Sequence, residues 1–439
     1  VLTEHQQDIF NNIIQDIETI VSQGGQWDNV VSLIGAAGVG KTFSTVQIIK
    51  KLIKNNRKVM FTTPTHKALK VAKDMMENEG IQIDCSTIHS FLNLKLKPNF
   101  DNGLQELIAE EFNKNKKRCD VLIVDESSMV SAELFAHIEQ SIRYRRAKVV
   151  LFVGDYFQLP PVDGEVNPVF EMKSQYELTE IVRQAKDNPI ITLATDIRNR
   201  IETQDFIPIN DIVQKHKCDV IQVIPDGNNF MKDYFSNEDG PWYENDTIIG
   251  AYTNGTVDAY NRAVRKKYWN DQGVTEFEYL REGDTVIFQE PHIEDDVVIH
   301  ANNDIVKLES AKKLLDENIY CWYWECVDEE GDKFKVIDPI STQKFEKYLK
   351  SIADSANKAS KGYDKKILWQ KYYQEKSEYQ TIKYAFASTV HKLQGSTFET
   401  AYIDMREMKK YYEFQEPEFI YRLMYVAVTR ASKDIKILI

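Results

Sequence analysis

Apolar residues at Ile9, Phe10, Ile13, Ile14, Ile17, Ile20 and Val21 recur every three or four positions, which predicts a helix over residues 4–21. A short continuous apolar run at 30–34, bounded by Asn29 and Gly35, reads as a buried strand. Helical spacing follows over 41–54, a second apolar strand over 59–63, and another helix near 67–78. Strands are predicted again at 121–124 and 149–153, with a helix between them. Strands without polar alternation are strands buried on both faces. Their alternation with helices predicts a parallel sheet covered by helices on each side.

Residues 92–118 break this rhythm with Pro98, the turn Asp101-Asn102-Gly103 and a run of Lys and Arg, and read as a small insertion. A second alternating series begins with strands at 219–224 and 247–251 and a helix near 257–269. It resumes at 381–387, 401–403 and 435–439. Between its halves, 283–288 and 320–327 are rich in β-branched and aromatic residues, and the chain after Ser341 is charged, aromatic and helical in character through Tyr379. The expected organisation is an α/β domain over 1–170 carrying an insertion at 91–118. A second α/β domain over 171–282 and 380–439 is interrupted by a β-rich module with a helical extension at 283–379.

The 439 residues exceed what one core organises, in keeping with two or three domains. With 42% hydrophobic and 28% charged residues the chain is of the soluble globular class, and no apolar run reaches membrane-spanning length. Residues 1–10 lack the basic-then-apolar pattern of a secretory leader, so a cytoplasmic protein without a membrane partner is expected. Five scattered cysteines, Cys85, Cys119, Cys218, Cys321 and Cys326, form no Cys-x-x-Cys pair and read as reduced thiols. The net charge of −13 argues against a broad basic surface for nucleic acid, though it leaves room for a local groove.

Candidate chemistry enters with Gly35-Ala36-Ala37-Gly38-Val39-Gly40-Lys41-Thr42, which falls after a predicted strand and before a predicted helix. This is the P-loop pattern. Glycines let backbone amides turn toward phosphate oxygens, the helix adds its N-terminal dipole, Lys41 reaches the β- and γ-phosphates, and Thr42 ligates Mg²⁺. Gly35, Gly38, Val39, Gly40, Lys41 and Thr42 are thus the candidate phosphate-binding set. The strand at 121–124 ends in Asp125-Glu126: Asp125 suits a Mg²⁺ contact and Glu126 the orientation or deprotonation of attacking water. Near the start, Thr3-Glu4-His5-Gln6 has two readings, a capping box in which Gln6 reaches back to the Thr3 amide, or an adenine contact by Gln6.

Further segments follow in order: Thr63-Pro64-Thr65-His66-Lys67-Ala68, Ser86-Thr87-Ile88-His89-Ser90, Asp125-Glu126-Ser127-Ser128-Met129, Gly154-Asp155-Tyr156-Phe157-Gln158-Leu159-Pro160-Pro161-Val162, Leu178-Thr179-Glu180-Ile181-Val182-Arg183-Gln184, Ser388-Thr389-Val390-His391-Lys392-Leu393-Gln394-Gly395-Ser396 and Tyr425-Val426-Ala427-Val428-Thr429-Arg430-Ala431. With the P-loop, the set resembles the motifs of superfamily 1 DNA helicases, in the RecD/Dda branch that includes helicases carried by T-even phages. Ala36 and Val39 stand where relatives often carry Pro and Thr, at positions that give no side chain to the chemistry.

The resemblance implies an α/β fold of two RecA-like P-loop domains with ATP and Mg²⁺ between them. It also implies a pin insertion in the first domain and an SH3-like β-rich insertion in the second. It implies adenine selection by Gln6, γ-phosphate sensing by Gln158, and Arg183 and Arg430 reaching the γ-phosphate from the second domain. An arginine that arrives only when a cleft closes makes hydrolysis and domain motion one event. Pro64, Thr65, His66, Thr87, His89, Thr389, His391 and Lys392 resemble groove residues for a DNA strand, where hydroxyls and imidazoles suit phosphate contacts and stacking. Taken singly, each reads equally as a helix cap or a satisfied surface residue. Phe100, with Phe91, is a candidate aromatic at the fork, against a core role for either. One ring of Cys321-Trp322-Tyr323-Trp324 is expected inside a barrel strand.

The implied activity is ATP-dependent translocation on single-stranded DNA, 5′ to 3′, with unwinding of duplex in phage DNA replication or recombination. The partners implied are single-stranded and fork DNA and a single-strand-binding or other replisome protein, with the chain acting as a monomer in the host cytoplasm. One alternative is a translocase that displaces bound proteins without separating strands. Another, from a different class, is a single-strand-binding module with a vestigial ATP site. The intact set Lys41, Asp125, Glu126, Gln158, Arg183 and Arg430 argues against it.

Overall fold

The protein is represented by a computed structural model that describes residues 2–24, 29–109, 117–161, 167–172, 174–181, 187–236, 241–244, 246–276, 278–294, 297–359, 362–412 and 416–439. The first part of the chain supplies strands β1 (Val30–Gly35), β2 (Val59–Thr63), β3 (Asp84–Thr87), β4 (Leu94–Asn99), β5 (Leu104–Ala109), β6 (Val121–Val124), β7 (Val149–Gly154) and β8 (Gln175–Leu178). Six of them form a parallel sheet in the order β3-β2-β6-β7-β1-β8. The predicted strands β2, β6 and β7 are buried at every position, as strands covered on both faces must be, with Thr62 of β2 satisfied by the Ile123 carbonyl. The edge strands β3 and β8 escaped the apolar pattern because they are short and mostly half-exposed.

The second series begins with β9 (Ile221–Ile224) and β10 (Thr247–Ala251). It is interrupted by β11 (Thr285–Phe288), β12 (His292–Glu294), β13 (Val297–His300), β14 (Ile305–Asp316), β15 (Cys321–Asp328), β16 (Lys333–Ile337) and β17 (Ile382–Tyr384). It closes with β18 (Ala387–Thr389), β19 (Phe398–Asp404) and β20 (Ala431–Leu438). A five-stranded parallel sheet has the order β18-β10-β19-β20-β9. The single strand predicted over 381–387 is in fact two. Residues of β17 pair antiparallel with β11, and residues of β18 pair parallel with β10. Tyr384-Ala385-Phe386-Ala387 carries apolar residues across the junction without a turn residue, so the pattern alone does not reveal where the pairing partner changes.

The chain divides into two compact units. One comprises Val1–Asn93, Glu111–Val257 and Ala387–Ile439, and so holds both parallel sheets. Its core is continuous between them. The helix Pro417–Val428 buries Ile420, Tyr421, Leu423 and Met424, and the Tyr421 hydroxyl donates to the Ile207 carbonyl at 2.6 Å.

The other unit comprises Leu94–Glu110 and Asp258–Phe386. Its main sheet is antiparallel, β16-β15-β14-β11-β17, around Val286, Phe288, Leu308, Trp324, Phe334 and Val336. In the Trp-rich run, Trp324 is inside and its indole donates to Asp338 Oδ2 at 2.7 Å, while Trp322 is exposed. The helices Thr342–Lys358 and Tyr363–Glu378 follow.

The hairpin β4–β5, inserted in the sequence of the first α/β series, belongs to this second unit. Its turn is built as Asn/Asp/Gly composition dictates: Asn99 and Asn102 side chains accept from the amides of Asp101 and Leu104, and Gly103 adopts φ 76°. The Trp369 ring occupies the place a Gly103 side chain would need, and the Tyr373 hydroxyl donates to the Gly103 carbonyl at 2.7 Å.

Candidate functional site

The loop between β1 and the helix Lys41–Lys54 takes the shape its glycines allow. Gly38 and Gly40 both have φ 81°, in the left-handed region where a side chain is strained. At Gly35 a Cβ would lie 2.6 Å from Val39 Cγ2, so only glycine lets the loop fold on itself. The Lys41 amine donates to the carbonyls of Gly35 at 2.5 Å and Ala36 at 2.9 Å, and lies 3.5 Å from Asp155 Oδ2. Thr42 is exposed on the first helical turn. A left-handed glycine pair with a lysine beside it fits a triphosphate, and Thr42 with Asp125 supplies oxygen donors suited to Mg²⁺.

In this structure Gln6 forms the capping box that the sequence offered. Its Oε1 accepts from the Thr3 amide at 3.0 Å, its own amide donates to Thr3 Oγ1 at 3.2 Å, and its Nε2 donates to the Val39 carbonyl at 2.9 Å. Both ends of a buried amide are engaged, so a base contact by Gln6 requires these bonds to exchange. The Val39 bond also ties the first helix to the phosphate loop.

Asp125 and Glu126 follow β6 at the C-terminal edge of the sheet. Burial, then the neighbouring Glu126, push the Asp125 carboxyl up to about 7. Burial also raises Glu126, opposed by Arg430 and Lys41. Glu126 has φ 51°, a strained conformation for a residue with a side chain, which turns it out of line with the strand. Gln158 lies on the loop after β7 and is buried.

Side chains from the second parallel sheet reach this edge. Tyr425, on the helix Pro417–Val428, accepts from the Ala37 amide of the phosphate loop at 2.8 Å and donates to Asp155 Oδ2 at 2.7 Å. Burial and Asp155 hold its phenol well above the ordinary range, so it stays protonated. The Gln394 amide donates to Gln158 Oε1 and to Ser128 Oγ, each at 3.1 Å. Arg422 donates to the Tyr156 carbonyl and lies over the Tyr156 ring at 4.9 Å. Arg430 donates from Nε to the Val426 carbonyl at 2.8 Å, and from Nη1 to those of Leu393 at 3.2 Å and Ser396 at 2.9 Å. Its buried guanidinium is held by its own domain, and its charge opposes the burial that raises the Glu126 carboxyl. Arg183 lies outside the described residues. Tyr425, Gln394 and Asp155 went unselected in the sequence although all sit within the quoted motifs. For Tyr425 the available signal was a hydroxyl inside the apolar stretch Leu423–Val428.

The strand-end residues separate by role. Thr65 caps the helix His66–Asn78 by accepting from the Ala68 amide at 3.3 Å, and Thr87 caps Ile88–Leu92 by accepting from Ser90 at 3.2 Å. Thr389 precedes Val390–Leu393 without a side-chain cap bond. Pro64 is half-buried and His66 and Lys392 are exposed, while His89 and His391 are half-buried. Phe91 is core, with Arg146 over its ring at 4.6 Å, whereas Phe100 sits half-buried in the hairpin turn of the other unit.

Burial lowers the imidazoles of His89 and His391 below the ordinary 6.5, and His66 and His137 lower His89 further. The folded state therefore binds these protons less readily than the unfolded chain. The stability these two neutral rings contribute is present above about pH 6.5 and is lost as pH falls through 6.5 toward the folded values. Asp125, raised in the fold, acts with the opposite sign, so the comparison is made between variants that share it. The stability of H89Q/H391Q relative to wild type should rise between pH 7.5 and 5.5 in thermal melts. A difference independent of pH would contradict the assignment.

Two parallel sheets, one with a P-loop and an acid pair at its C-terminal edge and the other sending a helix onto that loop, define a P-loop nucleotidase of two RecA-like domains. Residues 19–164 match the AAA domain and residues 384–437 the UvrD-like helicase C-terminal domain. The chain is 28% identical to the ATP-dependent DNA helicase dda of Enterobacteria phage T4, covering 99% of this chain and 98% of that protein. It is 32% identical to the RecBCD enzyme subunit RecD of Buchnera aphidicola over 31% of this chain and 24% of that one. A Pif1 helicase from Bacteroides, solved with ADP-AlF3 and ssDNA, shares the fold with a TM-score of 0.50 at 18% identity, covering all of this chain and 92% of that one. In its matched domains and along nearly its whole length the chain is similar to superfamily 1 helicases of the RecD/Dda branch. Among the described residues no helix is long and apolar enough to cross a membrane.

Proposed function

We propose that this ATP-dependent DNA helicase moves 5′ to 3′ on single-stranded DNA, as a monomer, and separates duplex with the β4–β5 hairpin as its pin. The reading rests on the bonds across the cleft: Tyr425 joins Ala37 and Asp155, and Gln394 joins Gln158, so the phosphate loop and its sensing loop are both tied to the second sheet. A ligand change at the loop then alters how the two domains meet, which is what a stepping motor requires.

In this reading Lys41 clamps the β- and γ-phosphates, Thr42 and Asp125 hold Mg²⁺, Glu126 orients water, and Arg430 with Arg183 stabilises charge on the transferred phosphoryl group. Mg²⁺ supplies charge neutralisation on the phosphates. Gln158 carries the γ-phosphate state to Gln394, three residues from His391. Pro64, Thr65, His66, Thr87, His89, Thr389, His391 and Lys392 line the DNA path. A threonine hydroxyl that accepts a cap bond keeps its proton for a phosphate oxygen, so capping and DNA contact are compatible at Thr65 and Thr87. Phe100 meets the fork, the β11–β17 module serves as the SH3-like insertion, and the setting is phage DNA replication or recombination in the host cytoplasm beside single-strand-binding protein.

The rival reading, translocation without strand separation, is decided at the hairpin. In G103V the new side chain meets the Trp369 ring and must hold a left-handed backbone, so the turn loses its seat. Unwinding of a 5′-tailed duplex should fall about tenfold or more, since small misplacements are costly. ATP hydrolysis stimulated by a single-stranded oligonucleotide should stay within about twofold, because Gly103 lies outside the nucleotide cleft. Unwinding that survives both G103V and W369A would remove the hairpin as the pin, whereas a wild-type chain that hydrolyses ATP on single strands yet opens no duplex would favour the translocase.

A further inference from the structure

Within the second unit, the end of β13 and the turn joining β15 to β16 bring one imidazole and two carboxylates together. Ligand atoms of His300, Asp328 and Asp332 all lie within 4.8 Å of one another. His300 is 4% exposed, and its ring is fixed by stacking on Phe288, with centroids 4.3 Å apart and planes 16° apart. Asp328 is fully buried. Its Oδ1 accepts from the amides of Glu330 at 3.0 Å and Asp332 at 2.8 Å, which fixes the carboxylate and leaves Oδ2 turned toward the imidazole. The two facing atoms, His300 Nε2 and Asp328 Oδ2, are 3.3 Å apart, yet neither has a hydrogen-bond partner among the described residues.

Two buried polar atoms that face each other unbonded are costly, and a proton shared between them would normally give an aligned hydrogen bond. A cation between them satisfies both. With metal–ligand bonds of about 2.1 Å, a 3.3 Å separation of ligand atoms subtends roughly 100° at the metal, near the tetrahedral angle. One nitrogen and two oxygens suit a borderline divalent ion of the Zn²⁺ type, whereas Mg²⁺ and Ca²⁺ favour all-oxygen sites. We propose that His300, Asp328 and Asp332 form such a transition-metal site, which clips β13 to the β15–β16 turn and stabilises this unit. Its residues are separate from the P-loop and acid pair, so it stands or falls independently of the nucleotide reading.

The test uses the full chain, stripped with a chelator and titrated with Co²⁺, then Zn²⁺. One equivalent of Co²⁺ should bind with visible d–d absorption and without the thiolate charge-transfer band that cysteine ligation would give. Zn²⁺ should displace it, and excess Zn²⁺ should raise the melting temperature by about 3 °C or more. Both effects should vanish in D332N, whose half-buried side chain carries little of the fold, and in H300F, which keeps the stacking. Both should persist in D125N. Failure of the wild type to take up Co²⁺, or uptake unchanged in D332N and H300F, would overturn the site.

Discussion

K41A should lower ATP turnover at least about a thousandfold, since one electrostatic contact made to a transferring group is worth that order, while single-stranded DNA binding stays within a few-fold. The amine is the only cation held on the loop among the described residues, 2.5 Å from the Gly35 carbonyl, and shared with Asp155. Alanine leaves the glycine-imposed loop intact, because Gly35, Gly38 and Gly40 set its path through backbone conformation and close packing. The loss should therefore fall on kcat more than on nucleotide affinity. Single-turnover ATPase and a fluorescence-anisotropy binding curve check it, and K41A hydrolysing near the wild-type rate would remove the loop from the chemistry.

The second large effect is at Arg430. R430K keeps one positive charge but loses the fork that now engages Val426, Leu393 and Ser396 carbonyls. An arginine delivered to a transferring phosphoryl group is worth about 10³ to 10⁵ in rate, so kcat should fall by at least about a hundredfold if lysine recovers part of that. Nucleotide affinity should move little. Losing the fork also leaves buried carbonyls unpaired, so R430K should melt several degrees lower. The two roles separate in the kinetics: a variant that melts lower with unchanged kcat makes Arg430 a staple between the segments around Leu393 and Val426, and nothing more.

Much of the nucleotide site was legible because its parts are local. The P-loop needs φ 81° at Gly38 and Gly40 and no side chain at Gly35, and the sequence states all three requirements in one octet. The fully buried strands β6 and β7 were legible for a similar reason, since burial on both faces leaves no polar position. What escaped depends on partners far away in sequence. Tyr425 meets Ala37 and Asp155, and Gln394 meets Gln158, only once two separate sheets have formed. The Trp369 seat for Gly103 is of the same kind. The Gln6 ambiguity was local, but a capping box and a base contact use the same amide, and only coordinates show where its two ends go. Edge strands β3 and β8 lack an apolar signature because one side of an edge is open to solvent.

The central claim, an ATP-driven motor that opens duplex DNA from a single-stranded tail, is tested most directly by strand separation on two partial duplexes. One carries only a 5′ tail and the other only a 3′ tail, each tried with ATP and Mg²⁺, with K41A as the control. Wild type should open the 5′-tailed duplex only when ATP is present, leave the 3′-tailed one closed, and lose the activity in K41A. Opening of the 3′-tailed duplex alone would reverse the direction proposed here. Failure to open either duplex, despite ATP hydrolysis that responds to single-stranded DNA, would contradict the account.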